Sequence, residues 1–104
     1  MKLLSRPEEL VLLAVWKLKD DAYCVPIREQ IIETTGKNWS FGSVYIPLNR
    51  LEEKGLICSN LGDSTPERGG RAKRFYTLTK DGKEELQAIR ALQEKMWDGI
   101  PKTI

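Results

Sequence analysis

Asn49 and Arg50 stand side by side in the run Phe41–Leu51, FGSVYIPLNRL, and further along comes RGGRAKR, Arg68 to Arg74, with four cations and no anion. An Asn amide can pair with adenine and an Arg guanidinium with guanine, each through two hydrogen bonds. Lys and Arg also neutralise phosphates without regard to sequence. Ser40, Ser43 and Tyr45 carry hydroxyls that can donate to a phosphate near a helix N-terminus, where the helix dipole favours an anion. These residue types suit recognition of a nucleic-acid duplex, by hydrogen bonding and charge, better than bond breaking.

Catalysis has little to work with. The chain has no histidine, so proton transfer at neutral pH would need a Glu or Lys with a strongly shifted pKa. No GxSxG, Walker loop or GxGxxG occurs, and Gly69-Gly70 reads as a turn in a basic hairpin. Cys24 and Cys58 lack CxxC spacing and a complementary histidine, which argues against zinc. We read them as free thiols in a reducing cytoplasm and expect no catalytic residue, metal or cofactor. The apolar run from Leu10 to Trp16 is far shorter than the roughly 20 residues a bilayer span needs. Met1–Ser5 has no signal-peptide form. A soluble, cytoplasmic chain without a membrane partner is expected. The net charge of +2 decides nothing, because a local patch governs binding to a polyanion.

The elements that must position these residues follow from local rules. Ser5-Arg6-Pro7-Glu8 has the form of a capping box with proline in the first turn. The helix it opens runs to about Lys19, apolar on nearly every side through Leu10, Val11, Leu13, Ala14 and Leu18. Such a helix is buried against its own core and against a second subunit. After a break at Asp20–Tyr23, a second helix has Pro26 in its first turn and Ile27, Ile31 and Ile32 at helical spacing. Gly36 supplies its left-handed stop. Lys37-Asn38-Trp39 is a turn and Ser40 a cap. The third helix puts Phe41, Val44, Leu48 and Leu51 on one face, leaving Tyr45, Asn49, Arg50 and Lys54 toward solvent or DNA, and ends at Gly55. Pro47 lies inside it and predicts a tight opening turn, with the regular helix established from about Val44.

Strands are expected at Leu56–Leu61 and Ala72–Leu78, joined by a long turn of Gly62, Asp63, Ser64, Pro66, Gly69 and Gly70. Tyr76 and Leu78 face the core, and Phe75 faces the next helix or solvent. Thr79 caps a last helix, Lys80 to Asp98, with the stripe Leu86, Ile89, Leu92 and Met96. The fold class is mainly α with a two-stranded β wing: a winged helix-turn-helix over residues 1–79, then a dimerisation helix and tail over 80–104. A domain this small cannot cover a helix projecting past its wing, so Leu86, Ile89, Leu92, Met96 and Trp97 are assigned to a homodimer interface. Trp16, Trp39 and Trp97 could stack on a planar apolar effector. Successive helical residues differ by about 100°, so Asn49 and Arg50 cannot both point into a groove. Asn49 is assigned to a base edge, Arg50 to a phosphate or a pair with Glu53. Strand alternation puts Arg71 and Lys73 on one face and Arg74 on the other, so not all of the wing cations are expected to touch DNA, and at least two are assigned to the backbone or minor groove. The other reading of these cations is that they keep an edge hairpin soluble.

Two runs carry a resemblance. Gly42-Ser43-Val44-Tyr45-Ile46-Pro47-Leu48-Asn49-Arg50-Leu51-Glu52-Glu53-Lys54-Gly55-Leu56-Ile57 matches G-[ST]-x-Y-x-x-L-x-R-L-E-x-x-G-[LI]-[IL]. Gly69-Gly70-Arg71-Ala72-Lys73-Arg74-Phe75-Tyr76-Thr77-Leu78-Thr79-Lys80-Asp81-Gly82 matches a wing ending in G-G-R-x-[KR]-[KR]-[FY]-[YF]-x-L-T-x-x-G. From Leu10 to about Leu92 the chain resembles the PadR family of bacterial transcriptional regulators, in its compact form. The resemblance implies a homodimer built through the first and last helices, and a repressor of a nearby operon, often beside transporter genes. With the residues above, it points to a double-stranded palindromic operator as partner, with release by a small apolar effector. The other reading of the same surface is a winged helix that contacts a protein instead of DNA.

Overall fold

The computed structural model describes residues 3–62 and 73–103. The expected turn residues Asp63, Ser64, Pro66, Gly69 and Gly70, the cations Arg68 and Arg71, and the strand start at Ala72 lie outside the described residues. Four helices and one two-stranded sheet follow in the order α1 (Arg6–Leu18), α2 (Cys24–Thr35), α3 (Phe41–Glu53), β1 (Ile57–Leu61), β2 (Arg74–Leu78) and α4 (Lys80–Trp97). The strands are antiparallel, with Ile57 opposite Leu78 and Leu61 opposite Arg74.

The capping box opens α1 as its spacing predicts: the Glu8 amide donates to Ser5 Oγ (3.3 Å), and the Ser5 amide donates to Glu8 Oε1 (2.8 Å). The helix ends at Leu18, where Lys19 turns the chain at φ 53° into a short 3-10 turn, Lys19–Asp21. Gly36 closes α2 in the left-handed conformation at φ 71°, its amide bonded to the Ile32 carbonyl (2.8 Å). Ser40 caps α3 by accepting from the Ser43 amide (3.1 Å).

Two expectations about α3 are corrected. The helix is regular from Phe41 rather than from Val44, and Pro47 lies in its interior, buried beside Val44, Leu48 and Leu51. The Ser40 cap and the burial of the proline ring offset the hydrogen bond that the Ser43 carbonyl loses. Phe41 is not part of the core face, being 48% exposed. It is the first helical residue, and its ring lies beneath the Arg28 guanidinium, 4.7 Å from Cζ to the ring centre. Arg28 Nε also donates to the Trp39 carbonyl. One side chain of α2 thus braces the turn that sets the entry of α3.

Lys54 is corrected in part. Its side chain is 38% exposed, as the solvent-facing reading has it, but its ammonium is engaged 2.7 Å from Glu8 Oε2, and Glu8 is only 4% exposed. The pair ties the last turn of α3 to the first turn of α1. Burial raises the Glu8 pKa, but hydrogen bonds from Lys54 and Ser5 outweigh it and hold the carboxyl at about 2, below its ordinary 4.5.

The core is shared by all elements: Val11, Leu12 and Val15 of α1, Ile27 and Ile31 of α2, the inner face of α3, Ile57, Tyr76 and Leu78 of the sheet, and Leu86 of α4. Tyr76 and Leu78 face inward as expected, while Phe75 points the other way and is half-buried. Its ring packs edge-on to Tyr23, 5.4 Å between centres. The root of α4 is close-packed backbone. Thr79 donates to the Gly55 carbonyl (2.7 Å) and caps Gly82 (3.1 Å), and a Cβ at Gly82 would fall 2.1 Å from the Leu56 carbonyl oxygen. Beyond Ile89 the helix leaves the core. The radius of gyration is 15.4 Å, against about 13 Å for a compact domain of this length. The architecture is a winged helix-turn-helix followed by a projecting helix.

Two outcomes are expected. Glu8 is bound more tightly as carboxylate in the folded chain than in the unfolded one. Its contribution is therefore complete above the ordinary 4.5 and lost as pH falls toward about 2. Glu8→Gln should flatten this acid limb of a Tm–pH curve, and Lys54→Met should cost about 1.5–3 kcal/mol in urea unfolding at neutral pH. Separately, Arg28→Ala should speed amide exchange at residues 37–42 and cost about 1–2 kcal/mol through the lost carbonyl bond and ring contact. Unchanged exchange there would remove Arg28 from the role of brace.

Candidate nucleic-acid interface

With Val44, Pro47, Leu48 and Leu51 turned inward, helical geometry leaves Gly42, Ile46, Asn49 and Glu53 along the centre of the outward face of α3. Tyr45 and Glu52 border this line on one side, and Ser43 and Arg50 on the other. Asn49 and Arg50 are both exposed. Among the described residues Arg50 makes no ion pair, so the pairing with Glu53 is not formed. Arg50 instead lines a hollow of about 490 Å³ with Ser5, Asn38, Trp39, Ser43 and Ile46. The Ser40 and Ser43 hydroxyls, at the mouth of α3, are 2.9 Å apart.

On the Tyr45 side lies the base of the wing. Tyr45, Lys73, Arg74 and Tyr76 meet Tyr23, Cys24 and Val25, from the start of α2, around a second, smaller hollow. This junction is held by a bond the sequence does not announce: the Tyr76 amide donates to the carbonyl of the fully buried Ala22 (2.8 Å). The two described wing cations diverge. Lys73 Nζ sits 4.2 Å above the Tyr23 ring centre. Arg74 Nη1, on the opposite face, donates to Ser59 Oγ (3.0 Å), which in turn donates to Glu52 Oε2 (2.6 Å). Both are thus oriented by neighbours before any ligand arrives. Burial, then the nearby Tyr45, push the Tyr76 phenol up to about 12, so it stays a neutral hydroxyl at the floor of this junction.

The structure therefore brings Ser40, Ser43, Tyr45, Asn49 and Arg50 onto one helix surface and sets Lys73 and Arg74 at its edge, while Arg68 and Arg71 lie outside the described residues. Sequence reasoning missed Arg28 and Ala22, whose partners are far away in the chain. It also missed Ile46, which is 55% exposed in the middle of the outward face. An apolar residue out of phase with the core stripe was the available signal. Both cysteines are thiols, Cys24 half-buried in the wall of the wing-base hollow and Cys58 exposed.

The assigned dimer residues divide. Leu86 is buried in the core of its own chain, and Ile89 packs partly against that core. Leu92, Met96 and Trp97 are exposed, as are Leu13 and Trp16 on the adjoining face of α1. No helix among the described residues is long and apolar enough to cross a membrane.

A comparison with curated protein sequences finds no significant match. Among solved structures, the chain is similar to a PadR family transcription regulator from Clostridium difficile. Identity is 26% and the TM-score 0.69, over 90% of this chain and 96% of that one. A PadR-like transcription factor from Bacteroides fragilis is 25% identical, with a TM-score of 0.72 over 86% of this chain and 81% of the other. A transcriptional regulator from Clostridium thermocellum shares the fold at 21% identity, with a TM-score of 0.72 over 93% and 91%. Residues 12–88 match the model of the transcriptional regulator PadR-like family, and the chain belongs to that family of DNA-binding transcriptional regulators.

Proposed function

We propose that the protein is a homodimeric repressor in the bacterial cytoplasm that reads a pseudo-palindromic operator with α3 and occludes a promoter. The observation that carries this reading is the pattern of charge around α3: an outward line uncharged through Gly42, Ile46 and Asn49 before it ends in Glu53, with Arg50 on one flank and Lys73 and Arg74 on the other. A groove floor lies between two rows of phosphates, and that pattern is its complement. Asn49 reads a base edge, by its position at the centre of the line. Ser40, Ser43, Tyr45 and Arg50 hold the backbone, together with at least two of the wing cations Arg68, Arg71, Lys73 and Arg74.

Residues 1–79 form the reading domain and 80–104 the dimerisation helix and tail. The exposed Leu92, Met96 and Trp97 of α4, with Leu13 and Trp16 exposed on α1, support that division. Leu86 and Ile89 anchor the seam from within. Two-fold symmetry would place the two α3 helices in half-sites about 34–36 Å apart. Between α1 and α4 lies a groove of about 480 Å³, lined by Leu10, Leu13, Trp16, Leu86 and Ile89 with Arg6 and Glu9 at its edge. A planar apolar effector seated there would alter the angle between the reading heads, provided it binds the two arrangements unequally.

Fluorescence anisotropy with a duplex from the gene's own upstream region, against a scrambled duplex at two salt concentrations, tests the reading. Selective binding that weakens steeply with salt is expected, because each neutralised phosphate releases counterions. Lys73→Ala should weaken binding to all sequences and flatten the slope, whereas Asn49→Ala should relax discrimination by about 1–3 kcal/mol at one base pair per half-site. No binding at low salt would favour a protein partner for the same surface. For the dimer, Leu92→Asp with Met96→Asp should convert a micromolar dimer to monomer in sedimentation without lowering Tm. An unchanged sedimentation coefficient would exclude this seam.

A further inference from the structure

We propose that Ile46 is a specificity determinant: its branched side chain meets the 5-methyl group of a thymine in the major groove, on a helix that Gly42 allows to sit close to the bases. This rests on the reading of α3 as the groove-entering helix.

A single exposed hydrophobic residue is ordinary on a protein surface, so exposure alone would mean little. Position is what distinguishes Ile46. It lies one turn after Gly42 and one turn before Asn49, within about 40° and 60° of them around the helix axis. It is 55% exposed, at the rim of the hollow that Arg50 lines, although its neighbours on the inward face are buried in the core.

Gly42 supplies the second observation. Every other described glycine has a reason within the fold. Gly36, Gly55 and Gly99 adopt positive φ, and a Cβ at Gly62 or Gly82 would collide with Phe75 or with the Leu56 carbonyl. At Gly42 the backbone is ordinary helix, and a Cβ would meet nothing nearer than Ser40 Oγ at 3.8 Å. Glycine weakens a helix, so the fold itself gives no account of its presence. A flat spot on the outward line is what a close partner requires.

The chemistry of the line then selects the partner group. Gly42 and Ile46 offer no side-chain donor to a phosphate, and Asn49 carries an amide that can pair with a base edge. Glu53 ends the same line in the last turn of α3, and its carboxylate restricts close approach to the earlier turns. In the major groove, the thymine methyl is the hydrocarbon group that base pairs present, next to the adenine edge that an Asn amide can grip. Three residues along a helix advance about 4.5 Å, so the thymine met by Ile46 lies within one or two base pairs of the base read by Asn49.

The test is a deoxyuridine scan, in which each thymine of the selectively bound duplex is replaced singly, removing only its methyl group. Wild-type protein should lose about fourfold in affinity at one position per half-site, the worth of one buried methyl-sized group. Ile46→Ala should bind more weakly overall and show no thymine–uracil difference at that position. A wild-type scan flat at every thymine, or an Ile46→Ala variant that keeps the full loss, overturns the inference. If Asn49→Ala still relaxes specificity in the same duplex, only the Ile46 assignment falls. A wild type that does not distinguish operator from scrambled duplex overturns the reading of α3 itself. Gly42→Ala should lower affinity several-fold with Tm unchanged or raised, and a lowered Tm would return Gly42 to a role in folding.

Discussion

One buried carboxylate holds the reading surface in place. Glu8 uses Oε1 to cap the amide of Ser5 and Oε2 to accept from the ammonium of Lys54. The start of α1 and the end of α3 are thereby fastened to the same functional group. Removing the Lys54 charge would leave a carboxylate only 4% exposed without its ionic partner, which is what makes the pair costly to break from that side. Because Lys54 follows the last turn of α3 directly, the pair sets the rotation of that helix about its axis. Rotation decides which residues face outward. The inward set Val44, Pro47, Leu48 and Leu51 enforces the same choice through packing, so charge and hydrophobic burial agree on one orientation.

The wing is fixed to this frame by backbone as well as side chains. The Ala22–Tyr76 hydrogen bond joins the start of α2 to β2, and Tyr23 covers Phe75 beside it. Arg74, Ser59 and Glu52 then link β2 through β1 to the end of α3. Tyr45, Lys73 and Arg74 consequently belong to one packed junction and not to a loose loop placed near a helix.

Much of this was legible in the sequence where the rule is local. The Ser5–Glu8 box, the Gly36 stop and the Ser40 and Thr79 caps each depend on residues three or four apart, and each stands where the spacing puts it. The alternation that sends Tyr76 and Leu78 inward is equally local. The failures share one cause. Phe41 has the helical phase of the core stripe, but it precedes the first full turn, and Arg28 of another helix offers its ring a better place. Lys54 looks like a solvated lysine until a carboxylate 46 positions earlier is folded against it. Ala22 carries no side-chain signal at all, since its carbonyl does the bonding. The candidate site was readable as a set of donors and cations, but its flanks were not: which cation borders which edge of α3 depends on contacts between elements.

The close packing at Gly82 has a mechanical consequence. There α4 is seated with no intervening side chain on the Leu56 carbonyl, one residue beyond the Gly55 carbonyl that Thr79 grips. A joint without a compliant side chain between its two backbones transmits torque instead of absorbing it. From that joint α4 runs on to Trp97, about 22 Å at 1.5 Å per residue, a rigid spoke whose far end moves about 4 Å for every 10° at its root. Read in reverse, a displacement of a few ångströms at the tip, around Met96 and Trp97, arrives at α3 as a small tilt of the whole head. The missing methyl group of one glycine thus gears the two ends of the molecule to each other.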